Sequence, residues 1–167
     1  MLYELITTHF YQLKLSGMAQ AFSEQQEQPP TQDLSFNERL AMLTDREMLH
    51  RTNRRISHLL RQAKLRQQAC IETIDYKHSR ELNKSQFTAL LGGDFIRQKH
   101  NLIITGLTGC GKSYLACALG NQACRMGFSV QYLCVPRFLE ELNIAHADGS
   151  YGKILVQLAK RDLIILD

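Results

Sequence analysis

The sequence predicts an α/β protein in which a helical N-terminal domain precedes a parallel β-sheet with helices packed on it. Apolar residues recur at helical spacing as far as Ala63, whereas short β-branched runs alternate with helical segments from residue 101 onward. A glycine-rich run directly follows the first β-branched segment. Because strands that alternate with helices are connected in parallel, we expect strands that are buried on both faces.

Changes in this pattern set the predicted domain boundaries. Residues 1–69 form a basic helical domain, residues 70–83 a linker with weak patterning, and residues 84–167 the α/β part. The 167 residues are 44% hydrophobic and 22% charged, which fits a globular protein and excludes collagen-like and wholly disordered classes.

The N-terminal domain is predicted to open with a helical hairpin that breaks at Ser16 and Gly17, followed by a Gln- and Pro-rich loop at residues 24–33. Ser35 and Glu38 match a capping box, in which each side chain bonds the backbone N–H of the other residue. A long amphipathic helix should therefore start there, with a candidate break near residues 52–53 and an apolar stripe that runs through Phe36, Leu40, Leu43, Ile56, Leu59, Leu60 and Ala63.

The α/β part is predicted to contain three strands, at residues 102–105, 129–135 and 163–166. Pro136 suits the first turn of a helix, and Gly127 suits the residue after the end of one. The predicted helices cover residues 85–91, 113–126, 136–146 and 151–160, with a turn at 148–150.

No apolar run approaches the roughly 20 residues that a membrane-spanning helix requires, so we expect no membrane association. The N-terminus lacks a basic region followed by an apolar one, and the cytoplasm is therefore the expected compartment. The five cysteines show no zinc-finger spacing and are expected to be free thiols. Cys117 and Cys124 are expected to pack as small apolar side chains.

The positive charge is concentrated in one segment. The chain has a net charge of +4, but residues 46–66 hold seven basic residues and one acidic residue, so this segment carries +6 and the remainder −2. A basic helix can bind the phosphates of a nucleic acid, although many such runs are only solvated faces. The candidate DNA contacts are Arg46, Arg51, Arg54, Arg55, Arg61, Lys64 and Arg66.

Residues 106–113 match the phosphate-binding pattern G-x-x-x-x-G-K-[ST], between a predicted strand and a predicted helix. Glycines let successive backbone N–H groups point inward, and the helix N-terminus adds a partial positive charge. Lys112 would reach the β- and γ-phosphates, and the Ser113 hydroxyl would bind Mg²⁺. A glycine turn that merely caps a helix is the alternative. The predicted nucleotide-binding residues are Gly106, Leu107, Thr108, Gly109, Cys110, Gly111, Lys112, Ser113 and Tyr114.

Asp167 follows the apolar run at residues 163–166. In phosphate-loop NTPases a carboxylate at the end of such a strand, called the Walker B acid, holds the water shell of Mg²⁺. Asp167 lies 54 residues after Ser113, with a strand and two helices between them, which suits this role. We therefore predict that Lys112 and Asp167 act in catalysis and that Ser113 and Asp167 form the Mg²⁺ site.

Four segments resemble the IstB family, the ATP-binding helper proteins of insertion-sequence transposition: LKLSGMAQAF, GGDFIRQKHNLIITG, GLTGCGKSYLACALGNQACRMGFSVQYLCVPRFLEEL and IAHADGSYGKILVQLAKRDLIILD. The resemblance implies an AAA+ phosphate-loop ATPase core with ATP and Mg²⁺ bound. It also implies self-assembly on double-stranded DNA, largely without base reading, and a transposase of the same element as partner.

In that family a second acid follows Asp167, and then come sensor residues, an arginine finger and a helical lid. The chain is therefore expected to be C-terminally truncated, with ATP hydrolysis impaired. The resemblance also implies that a fourth strand lies between the first and the third. Its absence would expose apolar strand edges and favour aggregation. The alternatives are a DnaC-like helicase loader, an inactive DNA-binding remnant and, least compatible with a basic helical domain, a small-molecule kinase.

Overall fold

The computed structural model describes residues 2–27, 34–76 and 83–167. Two compact units divide the chain, Met1–Arg55 and Ile56–Asp167. The first unit contains helices α1 (Leu2–Gln12) and α2 (Ser16–Glu27) and the larger part of α3 (Phe36–Ala63). The division falls inside α3, earlier than the predicted boundary at residue 69, because the last turns of α3 bury Ala63 in the core of the second unit.

The predicted helical hairpin is present, and its break lies at residues 13–15 instead of at Ser16 and Gly17. Lys14 takes the left-handed conformation there, with φ 59°. The predicted loop at residues 24–33 begins later than expected, since α2 runs to Glu27 and residues 28–33 lie outside the described part of the chain.

The predicted capping box at the start of α3 is confirmed. The Ser35 N–H donates to Glu38 Oε2 at 2.8 Å, and the Glu38 N–H donates to Ser35 Oγ at 3.3 Å. The predicted break near residues 52–53 is wrong, since α3 is continuous through them. Neither Thr52 nor Asn53 is a glycine or proline, and the Thr52 hydroxyl donates to the Met48 carbonyl one turn earlier without disturbing the helix.

A buried carboxylate joins α2 to α3 within the first unit. Glu47 Oε2 accepts hydrogen bonds from the backbone N–H groups of Gly17 at 2.8 Å and Met18 at 3.2 Å. Its other oxygen accepts from Arg51 Nε at 2.7 Å. Glu47 therefore caps the N-terminus of α2 from a different helix, in place of a side chain within α2.

Burial raises the pKa of Glu47, but the hydrogen bonds from Arg51, Met18 and Gly17 outweigh burial and hold that pKa below its ordinary value of 4.5. A carboxyl with a lowered pKa stabilises the folded state above its ordinary pKa, and this contribution is lost as the pH falls through the lowered value.

We therefore expect the first unit to lose stability below about pH 4.5, in urea unfolding followed by circular dichroism. Glu47→Gln should lower the free energy of unfolding at pH 7 by about 1 to 3 kcal/mol, because an uncharged amide pairs poorly with three donors. It should also remove part of the acid dependence. Glu140→Gln, at an exposed position, is the matched control. If Glu47→Gln lost stability at low pH as the wild type does, other carboxyls would be responsible for the acid dependence.

The second unit contains a 3₁₀ turn at Ile71–Thr73 and the rest of the secondary structure. The elements are α4 (Lys84–Leu90), α5 (Asp94–Arg97), α6 (Lys112–Arg125), β1 (Val130–Leu133), α7 (Val135–Asp148), α8 (Tyr151–Ala159) and β2 (Leu163–Leu166). The sequence predicted these elements to within two residues at each end, apart from α5, which it missed. Gly127 and Gly149 end α6 and α7 with φ 92° and 78°.

Strands β1 and β2 pair in parallel, with Val130 opposite Leu163 and Tyr132 opposite Ile165. Helix α6 packs on one face of this pair, where Val130, Ile165, Cys117 and Cys124 are buried. The prediction that strands are buried on both faces is wrong for β2. Ile164 and Leu166, which point to its other face, are 38% and 63% exposed, because no described element covers that face.

The predicted strand at residues 102–105 is also wrong, since this segment has no regular structure. A strand requires a neighbouring backbone, and within the described ranges residues 102–105 make no backbone hydrogen bond. Leu102 and Ile104 instead line a groove of about 530 Å³ together with Leu163–Leu166 of β2. Among the described helices, none is both long and apolar enough to cross a bilayer.

Candidate functional site

The glycine-rich loop at residues 106–111 leads directly into α6, as the sequence predicted. Gly106, Gly109 and Gly111 all have positive φ, at 153°, 83° and 92°, which explains why glycine stands at each position. Gly111 is the N-cap of α6 and provides no side-chain cap. The first N–H groups of α6 are therefore not bonded by a cap side chain and can bind an anion.

The ammonium group of Lys112 folds back over this loop. Its Nζ donates to the Gly106 carbonyl at 3.0 Å and to the Leu107 carbonyl at 2.8 Å. These are uncharged acceptors, so a phosphate placed among the loop N–H groups would be a stronger partner for the same cation.

The other predicted loop residues have varied surroundings. Leu107, Thr108 and Gly109 are exposed, Leu107 to 85%, and Cys110 is half-buried. The Tyr114 hydroxyl shares a hydrogen bond with Thr73 of the 3₁₀ turn, so Tyr114 ties the start of α6 to that turn.

Ser113 and Asp167 lie together although 54 residues separate them in the sequence. The Ser113 hydroxyl donates to Asp167 Oδ1 at 2.8 Å. The Asp167 N–H donates to the Leu133 carbonyl at 3.1 Å, which continues the pairing of the two strands and fixes the backbone of Asp167. A hydroxyl and a carboxylate beside a phosphate-binding loop are the oxygen donors that suit Mg²⁺, so the residues present fit this ion.

Two residues at Asp167 were not predicted for this site. The Tyr132 hydroxyl on β1 donates to Asp167 Oδ2, and Arg66 Nη1 donates to the same oxygen at 3.2 Å. Tyr132 could have been inferred from the sequence, because it lies two residues after Val130 and therefore on the same face of β1. No sequence signal indicates that Arg66 contacts Asp167. Because Arg66 lies in the basic segment, it was predicted to contact DNA instead.

These contacts change the pKa values of the Asp167 carboxyl and the Tyr132 hydroxyl. The hydrogen bond from Tyr132, followed by those from Ser113 and Arg66, holds the pKa of Asp167 below its ordinary value. Burial and then the neighbouring Asp167 raise the pKa of Tyr132 to about 12. At neutral pH the carboxylate is therefore ionised and the phenol is protonated, so Tyr132 is the donor.

The seven basic residues predicted to contact DNA are all exposed, but several have partners in the protein. Arg46 pairs with Glu24, Arg51 with Glu47 and Arg66 with Asp167. Arg61 donates to a carbonyl of its own helix. Within the described ranges no ion pair or side-chain hydrogen bond is formed by Arg54, Arg55 or Lys64.

The second unit is thus an α/β unit in which a glycine-rich loop at a helix N-terminus meets a carboxylate at the end of a parallel strand. This arrangement defines a class of proteins with an anion-binding loop and a neighbouring set of oxygen ligands.

Comparison with known proteins gives the family. A family model described as IstB-like ATP binding protein matches residues 8–167. A protein of insertion sequence IS1162 from Pseudomonas fluorescens, named for ATP binding, is 51% identical over 161 residues, which are 96% of this chain and 70% of that protein. Protein y4pL of Sinorhizobium fredii, named as an insertion sequence ATP-binding protein, is 45% identical over 92% of this chain and 62% of its own length.

The chain therefore belongs to the IstB-like ATP-binding protein family, and the resemblance seen in the sequence is confirmed. A more distant relative, from insertion sequence IS21 of Pseudomonas aeruginosa, is 28% identical over 93% of this chain and 58% of that protein. The chain spans between 58% and 70% of the length of these three relatives.

Proposed function

We propose that this chain binds ATP with Mg²⁺ at the loop of residues 106–113, and that it serves as a helper of insertion-sequence transposition. The contact between Ser113 and Asp167, beside the loop and Lys112, carries the proposal. It brings a hydroxyl and a carboxylate together where the phosphates of a loop-bound nucleotide would end. The names of the relatives, which refer to ATP binding and insertion sequences, support the same function.

Each residue has a distinct role in this proposal. The N–H groups of the loop and of the first turn of α6 bind phosphate oxygens, and the Lys112 ammonium moves from the Gly106 and Leu107 carbonyls to the β- and γ-phosphates. Ser113 Oγ would hold Mg²⁺ directly, and Asp167 Oδ1 would hold it through the water molecules of its shell. When bound, Mg²⁺ neutralises phosphate charge and fixes the phosphate geometry.

Equilibrium titration with a fluorescent ATP analogue tests this function. We expect saturable binding that strengthens when Mg²⁺ is added, competition by unlabelled ATP, and no competition by adenosine, which has no phosphate. Binding that adenosine displaces equally well would overturn the role of the loop.

We further propose that the protein assembles on double-stranded DNA with ATP bound, and that a transposase of the same element is its partner. The basic residues of α3 that lack protein partners within the described ranges, Arg54 and Arg55, are the side chains best placed to neutralise phosphates. Contacts of this kind release counterions, so they give affinity without reading bases.

Arg54→Gln/Arg55→Gln is expected to weaken binding to random-sequence duplex DNA by about 10-fold at moderate salt and to reduce the salt slope by about 2, since each lost phosphate contact removes about 0.9. Fluorescence anisotropy over a range of NaCl concentrations measures both quantities. Arg137→Gln/Lys153→Gln removes the same charge from the exposed surface of α7 and α8 and is the control. If the two double variants lost DNA affinity equally, the loss would be an effect of net charge and not of these two arginines.

A further inference from the structure

The two oxygens of Asp167 have different surroundings. Within the described ranges, Oδ1 accepts only from Ser113, the residue proposed to bind Mg²⁺. Oδ2 accepts from Tyr132 and Arg66, which have no part in the predicted nucleotide site. Oδ2 is therefore held by residues outside the predicted nucleotide site, whereas Oδ1 contacts a residue of that site.

Tyr132 and Arg66 differ in how firmly they can hold Oδ2. Tyr132 is only 8% exposed, its ring packs in the core with Val130 and Ile165, and its hydroxyl uses the carboxylate as its partner. The Arg66 side chain is 66% exposed, so water and salt screen its ion pair with Asp167 and its long side chain loses entropy in the contact. Orientation of the carboxylate therefore depends on Tyr132 more than on Arg66.

We propose that Tyr132 is a positioning residue for the Mg²⁺ site: its hydroxyl fixes Asp167 Oδ2 and so keeps Oδ1 turned toward Ser113 and the metal's water shell. This inference rests on the proposed nucleotide binding. A carboxylate can rotate about its last side-chain bond, and a magnesium shell tolerates little departure from octahedral geometry. Groups that orient a metal-binding side chain from behind typically change metal affinity by about 10- to 100-fold when removed.

Tyr132→Phe removes one oxygen and keeps the ring in the core. The experiment measures the Kd for ATP with saturating Mg²⁺ and with EDTA, and takes the ratio as the Mg²⁺-dependent gain. We expect Tyr132→Phe to reduce this gain by about 10-fold, with the Kd in EDTA unchanged within about twofold. Arg66→Gln should reduce the gain by less than about 3-fold, because its ion pair is exposed.

Two more variants test whether Tyr132 acts through Asp167. Asp167→Asn should lose at least as much of the gain, and Tyr132→Phe/Asp167→Asn should lose no more than Asp167→Asn alone, as expected for residues that act as one unit. Tyr151→Phe removes a hydroxyl from a tyrosine of α8 that stacks on His146 of α7, and it is the matched control.

Thermal melting checks that Tyr132→Phe is folded. Should its melting temperature fall by more than a few degrees, Asp167→Glu provides the second test. It keeps the charge of a side chain that is 26% exposed but moves the carboxylate relative to the Tyr132 hydroxyl. The proposal requires Asp167→Glu to lose the Mg²⁺-dependent gain as well.

The outcomes separate the inference from the function on which it rests. A normal gain in Tyr132→Phe, with ATP binding intact, overturns the positioning role and leaves nucleotide binding in place. Equal loss of affinity with Mg²⁺ and with EDTA also overturns it, because the effect would then be on the fold or the loop. Absence of ATP binding in the wild-type chain overturns the proposed function and this inference together.

Discussion

Replacing Lys112 by alanine is expected to weaken ATP binding by about 100-fold, which corresponds to the loss of about 3 kcal/mol from charge-assisted hydrogen bonds to phosphate. Lys112 is the first residue of α6, and its ammonium lies beside the Gly106 and Leu107 carbonyls of the loop that would receive the phosphates. Titration with a fluorescent ATP analogue in the presence of Mg²⁺ measures the effect.

The effect of Lys112→Ala combines two losses, because the side chain also bonds two loop carbonyls. Lys112→Arg separates them. It keeps the positive charge but changes its shape and reach, so we expect an intermediate affinity. Lys153→Ala removes an exposed lysine from α8 and should bind ATP as the wild type does. Equal affinities of Lys112→Ala and the wild type would exclude the loop as the phosphate site.

Gly17→Ala is expected to destabilise the first unit by about 1 to 3 kcal/mol, the usual cost of overpacking a tight contact. A Cβ at Gly17 would lie 2.8 Å from His50 Cβ, 2.9 Å from the Arg46 carbonyl oxygen and 2.9 Å from Glu47 Cα. Two of these atoms belong to the backbone of α3 and cannot rotate away. Helix α2 would have to move off α3, which lengthens the hydrogen bonds from its N-terminus to Glu47.

Helix propensity acts in the opposite direction, since alanine is favoured over glycine in a helix by up to about 1 kcal/mol. Gly152→Ala isolates this term, because no atom of the described residues lies within 4 Å of a Cβ at Gly152 in α8. We expect Gly152→Ala to be neutral or stabilising and Gly17→Ala to be destabilising, in urea unfolding followed by circular dichroism. A neutral or stabilising effect of Gly17→Ala would contradict the close contact of Gly17 with α3.

Local chemistry accounts for the parts of the fold that were predicted correctly. The capping box of Ser35 and Glu38, the terminal glycines Gly127 and Gly149 and the glycine-rich loop all depend on residues within a few positions of each other. The strand at residues 102–105 was predicted from its β-branched residues, but a strand forms only beside another backbone. The residues of the segment itself do not determine whether another strand lies beside it.

Contacts between distant residues account for the features that were missed. Glu47 lies 30 residues from Gly17, and the hydroxyl of Tyr132 reaches a carboxylate 35 residues later. Nothing in the neighbourhood of Glu47 distinguishes it from a solvated acid in a basic segment. The contact of Ser113 with Asp167 could be predicted, because Ser113 ends a run that matches the phosphate-binding pattern and Asp167 follows an apolar strand, as the acid of such a site does.

The residues that meet at Asp167 come from four separate places in the chain: Arg66 after the end of α3, Ser113 in α6, Tyr132 in β1 and Asp167 itself after β2. An unfolded chain cannot hold them together, so a ligand that requires this cluster binds only the native state of the second unit. By mass action such a ligand raises the melting temperature in proportion to the logarithm of its concentration, which makes thermal denaturation itself a readout of occupancy.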